Sequence, residues 1–272
     1  HWHADVIGSE ASLPLRLVYW LTRPFEKALL RRCQSVVCTS PPYAQSSRPL
    51  APFRNKLRIV PLGLAEQVAG LPAPQAATDF WPPRQPGRYR LLVVGRLTYY
   101  KGFDLLLRAL AQSSGWELCL VGEGDCRGQL QGLVTELGLA ERVRRTGRVG
   151  EQELTGLLHS CDCLVLPSIE RTEAFGVVLL EAMRAGKATL AADVRGSGMG
   201  WVVEPGKTGL LFKAGDLSSL RAGLDELAQS AERLAALGAA GRERFEQQFR
   251  IDRVAARIQE VYQEALVDSA AS

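Results

Sequence analysis

PSIERTEAFGVVLLEAMRAG, Pro167 to Gly186, decides how this chain folds. Just before it, CDCLVL (Cys161 to Leu166) is a short apolar run of the kind that makes a strand buried on both faces. Pro167 ends that strand, because its nitrogen has no hydrogen to give to a ladder. SIERTE then puts Glu170, Arg171 and Glu173 at the strand's carboxyl end, where ligands bind in an open α/β sheet. A helix is expected from Ala174 or Phe175, with Thr172 and Glu173 placed either to cap it or to meet a ligand. FGVVLLEAM is apolar nearly all round, which predicts a buried helix. Glu181 interrupts it about two turns in, and a carboxylate there needs a partner. Gly176, between Phe175 and Val177, is read as letting a bulky group approach free backbone N–H groups, a mouth that favours phosphate. Taken singly, Glu173 reads equally well as a helix-start acid and Glu181 as a core acid held by an ion pair.

Outward from that stretch, the chain alternates strand and helix from Tyr89 onward. YRLLVVG, WELCLVG, RVRRTG, CDCLVLP, KATLAA and GLLFK read as strands. Helices are expected between them, and one long amphipathic helix runs from Leu217 to Gly238. The pattern predicts a doubly wound parallel sheet with right-handed connections. Its first strand ends in VVGRLTYYKG, where Gly95 permits a tight turn and Arg96 and Lys101 project from the loop. Two cations at a strand's carboxyl end suit a diphosphate, Arg as a fork and Lys as a point charge; a solvated basic loop is the plainer reading. VGEGD (Val121 to Asp125) is glycine-rich but lacks the G-x-G-x-x-G spacing of a dinucleotide fingerprint. Gly196, Gly198 and Gly200 alternate, as in a flexible loop or one closely approached by other backbone.

The first quarter of the chain is of a different make. His1 to Ile7 reads as a strand end. His1, His3 and His159 are too few to furnish a zinc site. Leu13 to Cys33 carries Leu17, Leu21, Phe25 and Leu29 at helical spacing, expected to face inward, with Arg16, Arg23, Lys27, Arg31 and Arg32 elsewhere and Glu26 the one acid. Such a helix suits either an anionic membrane surface or an ordinary domain face. Strands are expected at Ser35 to Cys38 and from Leu57. The proline-rich stretch after them marks a linker, and the chain divides into 1–66, a linker 67–88, 89–248, and a final helical segment 249–272.

Composition narrows the choices. A net charge of +4 is too small to argue for nucleic acid, and is compatible with phosphorylated ligands or an anionic surface. No apolar run approaches the roughly 18 residues of a membrane span. Six cysteines lie mostly in strand-like runs, which reads as core thiols of a cytoplasmic protein and not as a disulfide framework.

EAFGVVLLEAM, from Glu173 to Met183, resembles the E-x7-E signature of the retaining glycosyltransferases of family GT4. GRLTYYKG resembles that family's G-R-x-x-x-x-K-G segment, EPGKTGLLF its E-x-G-x-T-G-L-L pattern, and WHAD its His-Ser-Asp turn, with Ala4 in place of Ser. The resemblance implies a GT-B fold of two Rossmann-like domains, the first truncated here by a missing N-terminal part and the second complete. It also implies roles. Arg96 and Lys101, with Gly95, hold the donor's phosphates; the backbone at Phe175, Gly176 and Val177 adds donors. Glu173 lies beside the donor sugar, His3 on its far side, and Glu181 on the ribose. The implied reaction moves a sugar from a GDP- or UDP-sugar, GDP-mannose foremost, to a glycan or lipid-linked acceptor in bacterial polysaccharide or lipopolysaccharide assembly, on the inner face of the plasma membrane. No D-x-D is present, and no metal or other cofactor is expected. A GT-B nucleotide-sugar epimerase and a non-catalytic nucleotide-sugar-binding module are the rival readings.

Overall fold

The computed structural model describes residues 1–5, 13–66 and 79–270. Among them, six strands form one parallel sheet: β3 (Tyr89–Val94), β4 (Trp116–Val121), β5 (Val143–Gly147), β6 (Cys163–Leu166), β7 (Ala188–Asp193) and β8 (Leu210–Lys213), in the spatial order β5-β4-β3-β6-β7-β8. A smaller parallel sheet pairs β1 (Val36–Cys38) with β2 (Leu57–Ile59), and Trp2 adds one bridge to Cys38.

Helices α1 (Leu13–Arg32) and α2 (Pro41–Ser46) belong to the first part. In the second, α3 (Phe103–Ala111), α4 (Arg127–Glu136), α5 (Glu151–Ser160), α6 (Val177–Arg184) and α7 (Met199–Val202) connect the strands, and α8 (Leu217–Leu227) and α9 (Ala231–Gln248) follow the last one. α3 packs on α4 and α8, and α6 packs on α7 and α9. Helices on both faces explain why the strands read as unbroken apolar runs: every residue of β4 is buried, as is every residue of β6. One core runs from Trp81, just before β3, to Phe249. Residues 67–78 of the expected linker lie outside the described residues.

The last helix, α10 (Ile251–Ala270), returns to the small sheet. Val254 and Val261 join Val37 and Val60 in a cluster of their own. At the crossing, Leu64 N–H donates to Phe249 O and Ile251 N–H to Leu64 O, each at 2.9 Å.

Three expectations need correction. The helix after Pro167 begins at Val177, not at Ala174 or Phe175, because Gly176 takes φ +79° and caps it without a side chain. Glu181 therefore sits little more than one turn in. The stretch Leu217 to Gly238 is broken: α8 ends at Leu227, and Ser230 starts α9 by accepting from Arg233 N–H at 3.1 Å. In α1 the stripe expected inside is outside. Leu17 is 59% exposed, Leu21 56%, Phe25 77% and Leu29 65%, and Leu30 is the buried residue of that helix. An apolar stripe at helical spacing says that a face can be buried, not that something in the chain buries it.

Candidate active site

The sheet reverses its winding between β3 and β6, and the loops leaving these two strands meet above that point. Ile169 N–H donates to Tyr100 O at 2.8 Å, tying one loop to the other. Gly102 is left-handed (φ +66°), and a Cβ there would lie 2.2 Å from Pro167 O, so the backbones themselves touch. The contact delivers Lys101 to Glu173. Lys101 Nζ donates to Glu173 Oε2, with the two side chains only 13% and 14% exposed. Gly95 makes room for the lysine: a Cβ there would stand 3.3 Å from both Cε and Nζ of Lys101.

Glu173 is also fixed from behind. The buried Ser168 Oγ donates to Oε2 at 3.4 Å, and Ser197 Oγ donates to the Glu173 carbonyl at 2.5 Å. Ser197 stands among the alternating glycines. Gly198 N–H donates to Ala174 O at 2.7 Å, and a Cβ at Gly198 would meet Ser40 Oγ at 2.8 Å and Ala174 O at 2.9 Å. Gly198 thus serves close packing on the Glu173 loop, as does Gly196, where a Cβ would stand 3.2 Å from Arg171 Nε, whereas Gly200 faces Asp193 and Leu211.

The remaining predicted residues are less gathered. Arg96 is 70% exposed and reaches toward Asp125 at 4.0 Å, not toward Lys101. Phe175 turns its ring inward, against Trp201 and Phe249, each with centroids 6.3 Å away. Gly176 does not open space for a ligand as expected: its Cβ position faces Leu166, Leu179 and Met199 in the core. Val177, by contrast, is 37% exposed at the helix mouth, and no side chain caps the first amides of α6. Glu181 is raised above the usual carboxylate range by burial, with Arg184 opposing the shift and Glu151 adding to it. His3 is exposed, its ring 6.1 Å from that of His1, which bonds to Tyr262 of α10.

Beside this centre lies a polar cleft at the ends of β3, β4 and β5, lined by Leu97, Glu123, Arg127, Arg145 and Thr146. The VGEGD glycines shape its floor by close approach, since a Cβ at Gly122 would fall 1.9 Å from Gly95 O.

Sequence reading missed Ser168 and Ser197 as members of the site, and placed Arg171 at the strand end without its partner. Arg171 crosses to the first part of the chain, where Nη1 donates to Asp5 Oδ2 at 2.7 Å. Its charge and its place in SIERTE were visible; its partner, far off in the sequence, was not. Among the described residues no three His, Cys, Asp or Glu side chains converge on a metal-sized centre.

The architecture is GT-B, the fold of a large class of sugar-nucleotide transferases. Sucrose-phosphate synthase of Thermosynechococcus elongatus superposes with a TM-score of 0.76 at 28% identity, over 93% of this chain and 63% of that one. The family described as "Glycosyl transferases group 1" matches residues 77–244, and the chain belongs to it. Among characterised relatives, the D-rhamnosyltransferase WbpZ of Pseudomonas aeruginosa is 30% identical over 91% of this chain. The O-antigen chain mannosyltransferase C of Escherichia coli is 27% identical over 92%. The chain spans 62% and 64% of the lengths of these two proteins.

Proposed function

We propose that this chain carries the donor site of a retaining glycosyltransferase, which moves a sugar from a nucleotide-diphospho-sugar to a glycan or lipid-linked acceptor in cell-surface polysaccharide synthesis. The observation that carries the reading is the meeting of Lys101 and Glu173 where the strand order reverses. An ammonium and a carboxylate held nearly dry at that point are suited to a ligand with an anionic end and a hydroxyl-rich end. Lys101 turns from Glu173 to the diphosphate and stabilises the negative charge that develops as the sugar leaves. The free amides at Val177 add donors on the same side. Glu173, released from the lysine, accepts from hydroxyls of the transferring sugar. Arg96, exposed and 4.0 Å from Asp125, turns from that carboxylate onto the phosphates. Glu181 is assigned to the ribose hydroxyls on the E-x7-E resemblance, its half-buried carboxylate standing little more than one turn inside the helix, and the polar cleft of Glu123, Arg127 and Thr146 takes the base.

GDP-mannose is the donor we favour, on the likeness of SIERTEAFGVVLLEAM to enzymes of polysaccharide assembly. One of the two relatives above is a mannosyltransferase and the other a rhamnosyltransferase. His3 is assigned to the far side of the sugar on the WHAD resemblance.

The exposed face of α1 supports a second element of the proposal, peripheral contact with the inner face of the plasma membrane. Leu13, Leu17, Trp20, Leu21, Phe25 and Leu29 all stand in solvent beside Arg23, Lys27, Arg31 and Arg32. No helix among the described residues is long and apolar enough to cross a membrane.

The donor reading is tested by calorimetric titration with GDP and UDP. At least one should bind, and Lys101→Ala should lose about 1.5–3 kcal/mol of that binding, on the order of 10- to 150-fold. Absence of binding by either nucleotide, or equal binding by the variant, defeats the reading.

A further inference from the structure

Arg171 is the side chain through which the Glu173 loop holds the first part of the chain. Its guanidinium is engaged on three sides. Nη1 donates to Asp5 Oδ2 at 2.7 Å, and Nε donates to Ser46 Oγ at 2.9 Å and to Gly196 O at 3.2 Å. Its Cζ lies 4.0 Å from the centroid of the Tyr43 ring, a stacked cation–π contact. Both ends are partly dry, with Arg171 27% and Asp5 13% exposed, and Tyr43 is buried.

Asp5 is built to receive the arginine. Its Oδ1 accepts from Trp2 Nε1 at 2.9 Å and from Ser47 Oγ at 2.7 Å, and its own N–H donates to the Tyr43 hydroxyl. The segment of residues 1–5 is therefore fixed laterally to α2, and α2 is fixed through Arg171 to the second body. A lysine has no planar fork to serve Asp5, Ser46 and Gly196 at once while lying flat on a ring.

What matters is where the clasp sits. Arg171 precedes Glu173 by two residues, and Asp5 follows His3 by two. Ser46 Oγ also donates to Gly196 O at 3.1 Å and Trp2 N–H to Val37 O at 2.8 Å, but Arg171–Asp5 is the charged contact that joins the two segments carrying the residues assigned above to opposite sides of the transferring sugar. We propose that Arg171 is a positioning residue: by clasping Asp5 over Tyr43 it holds the His3 segment against the Glu173 loop in the arrangement that turnover needs, without contributing to nucleotide affinity. The proposal rests on the sugar-transfer reading of Glu173. A tether of two surfaces alone would leave turnover untouched; a positioning residue lowers kcat at saturating donor and leaves KM alone.

Arg171→Met keeps bulk over the Tyr43 ring and removes the fork. In the whole chain, amide hydrogen exchange followed by mass spectrometry should rise at least tenfold in residues 1–5 and 41–47 and stay unchanged in the six-stranded sheet. GDP and UDP should bind within twofold of wild type. Release of nucleoside diphosphate from GDP-mannose or UDP-glucose should fall at least tenfold in kcat, with KM within twofold. Asp5→Asn should reproduce these effects, and the double variant should add nothing to either single one. Unchanged exchange in residues 1–5 and 41–47, a parallel loss of nucleotide affinity, or additive losses in the double variant would each overturn the proposal. Failure of the wild-type chain to bind either nucleotide sinks the donor reading instead, and the exchange measurement still decides the clasp.

Discussion

Removing the Lys101 ammonium should destabilise the fold, and removing Glu173 as well should restore it. With side chains 13% and 14% exposed, the pair sits close to the buried limit, where deleting one partner strands a charge at about 3–5 kcal/mol. Two features of this site reduce that figure. Each side chain keeps some access to water, and Ser168 Oγ still donates to Glu173 Oε2. Lys101→Met should therefore cost about 2–4 kcal/mol, and Glu173→Gln somewhat less, because an amide beside the lysine still offers an acceptor oxygen. The double variant should lie within about 1 kcal/mol of wild type, giving a coupling energy of about 2 kcal/mol or more. The assay is urea unfolding near neutral pH, followed by tryptophan fluorescence, since Trp81 and Trp116 report on the core beneath the site. Nucleotide titrations of the same proteins separate stability from binding: the double variant should recover its fold and still fail to bind GDP or UDP tightly. A coupling energy below about 0.5 kcal/mol would mean that the two charges act independently, and the reasoning from burial would be wrong.

Three further outcomes follow from individual residues. Gly176→Ala forces φ +79° on a residue with a Cβ and drives that carbon to 2.8 Å from Leu166 Cδ2, so a loss of about 2–4 kcal/mol should appear in the same urea assay. Glu181 has its pKa raised by burial, so the folded state holds its proton more tightly than the unfolded chain does. Stability then declines as pH climbs from the ordinary carboxylate value through the raised one. Glu181→Gln should melt above wild type at about pH 8, and by a smaller margin at about pH 5. Phe25→Asp with Leu21→Asp places charge in the exposed stripe of α1, and should abolish co-sedimentation with vesicles containing phosphatidylglycerol while leaving nucleotide binding intact.

The strand–helix alternation was legible because each strand of the large sheet is covered on both faces, and burial of that kind writes itself as a local apolar run. Gly95 and Lys101 were legible as a turn and a cation, and the resemblance brought Lys101 into one site with Glu173 although 72 residues separate them. What escaped depended on partners distant in the chain. Nothing near Arg171 names Asp5, and nothing in α1 tells whether its stripe has a covering surface. Phe175 looked like the first residue of a helix because its apolar neighbours continue the period; its ring instead completes a three-ring cluster with Trp201 and Phe249. The break at Ser230 went unread, because alanine and leucine on either side carry the helical period across it.

The backbone contact between Gly102 and Pro167 has a consequence for anyone who would exchange parts between relatives. The segments 95–102 and 167–173 are seated on one another atom to atom, so their lengths and shapes are mutually dictated. A chimera that imports either one alone will carry its acid or its base to a mismatched neighbour. Swapped as a set, the two can change the chemistry of the site and keep the surface on which they rest.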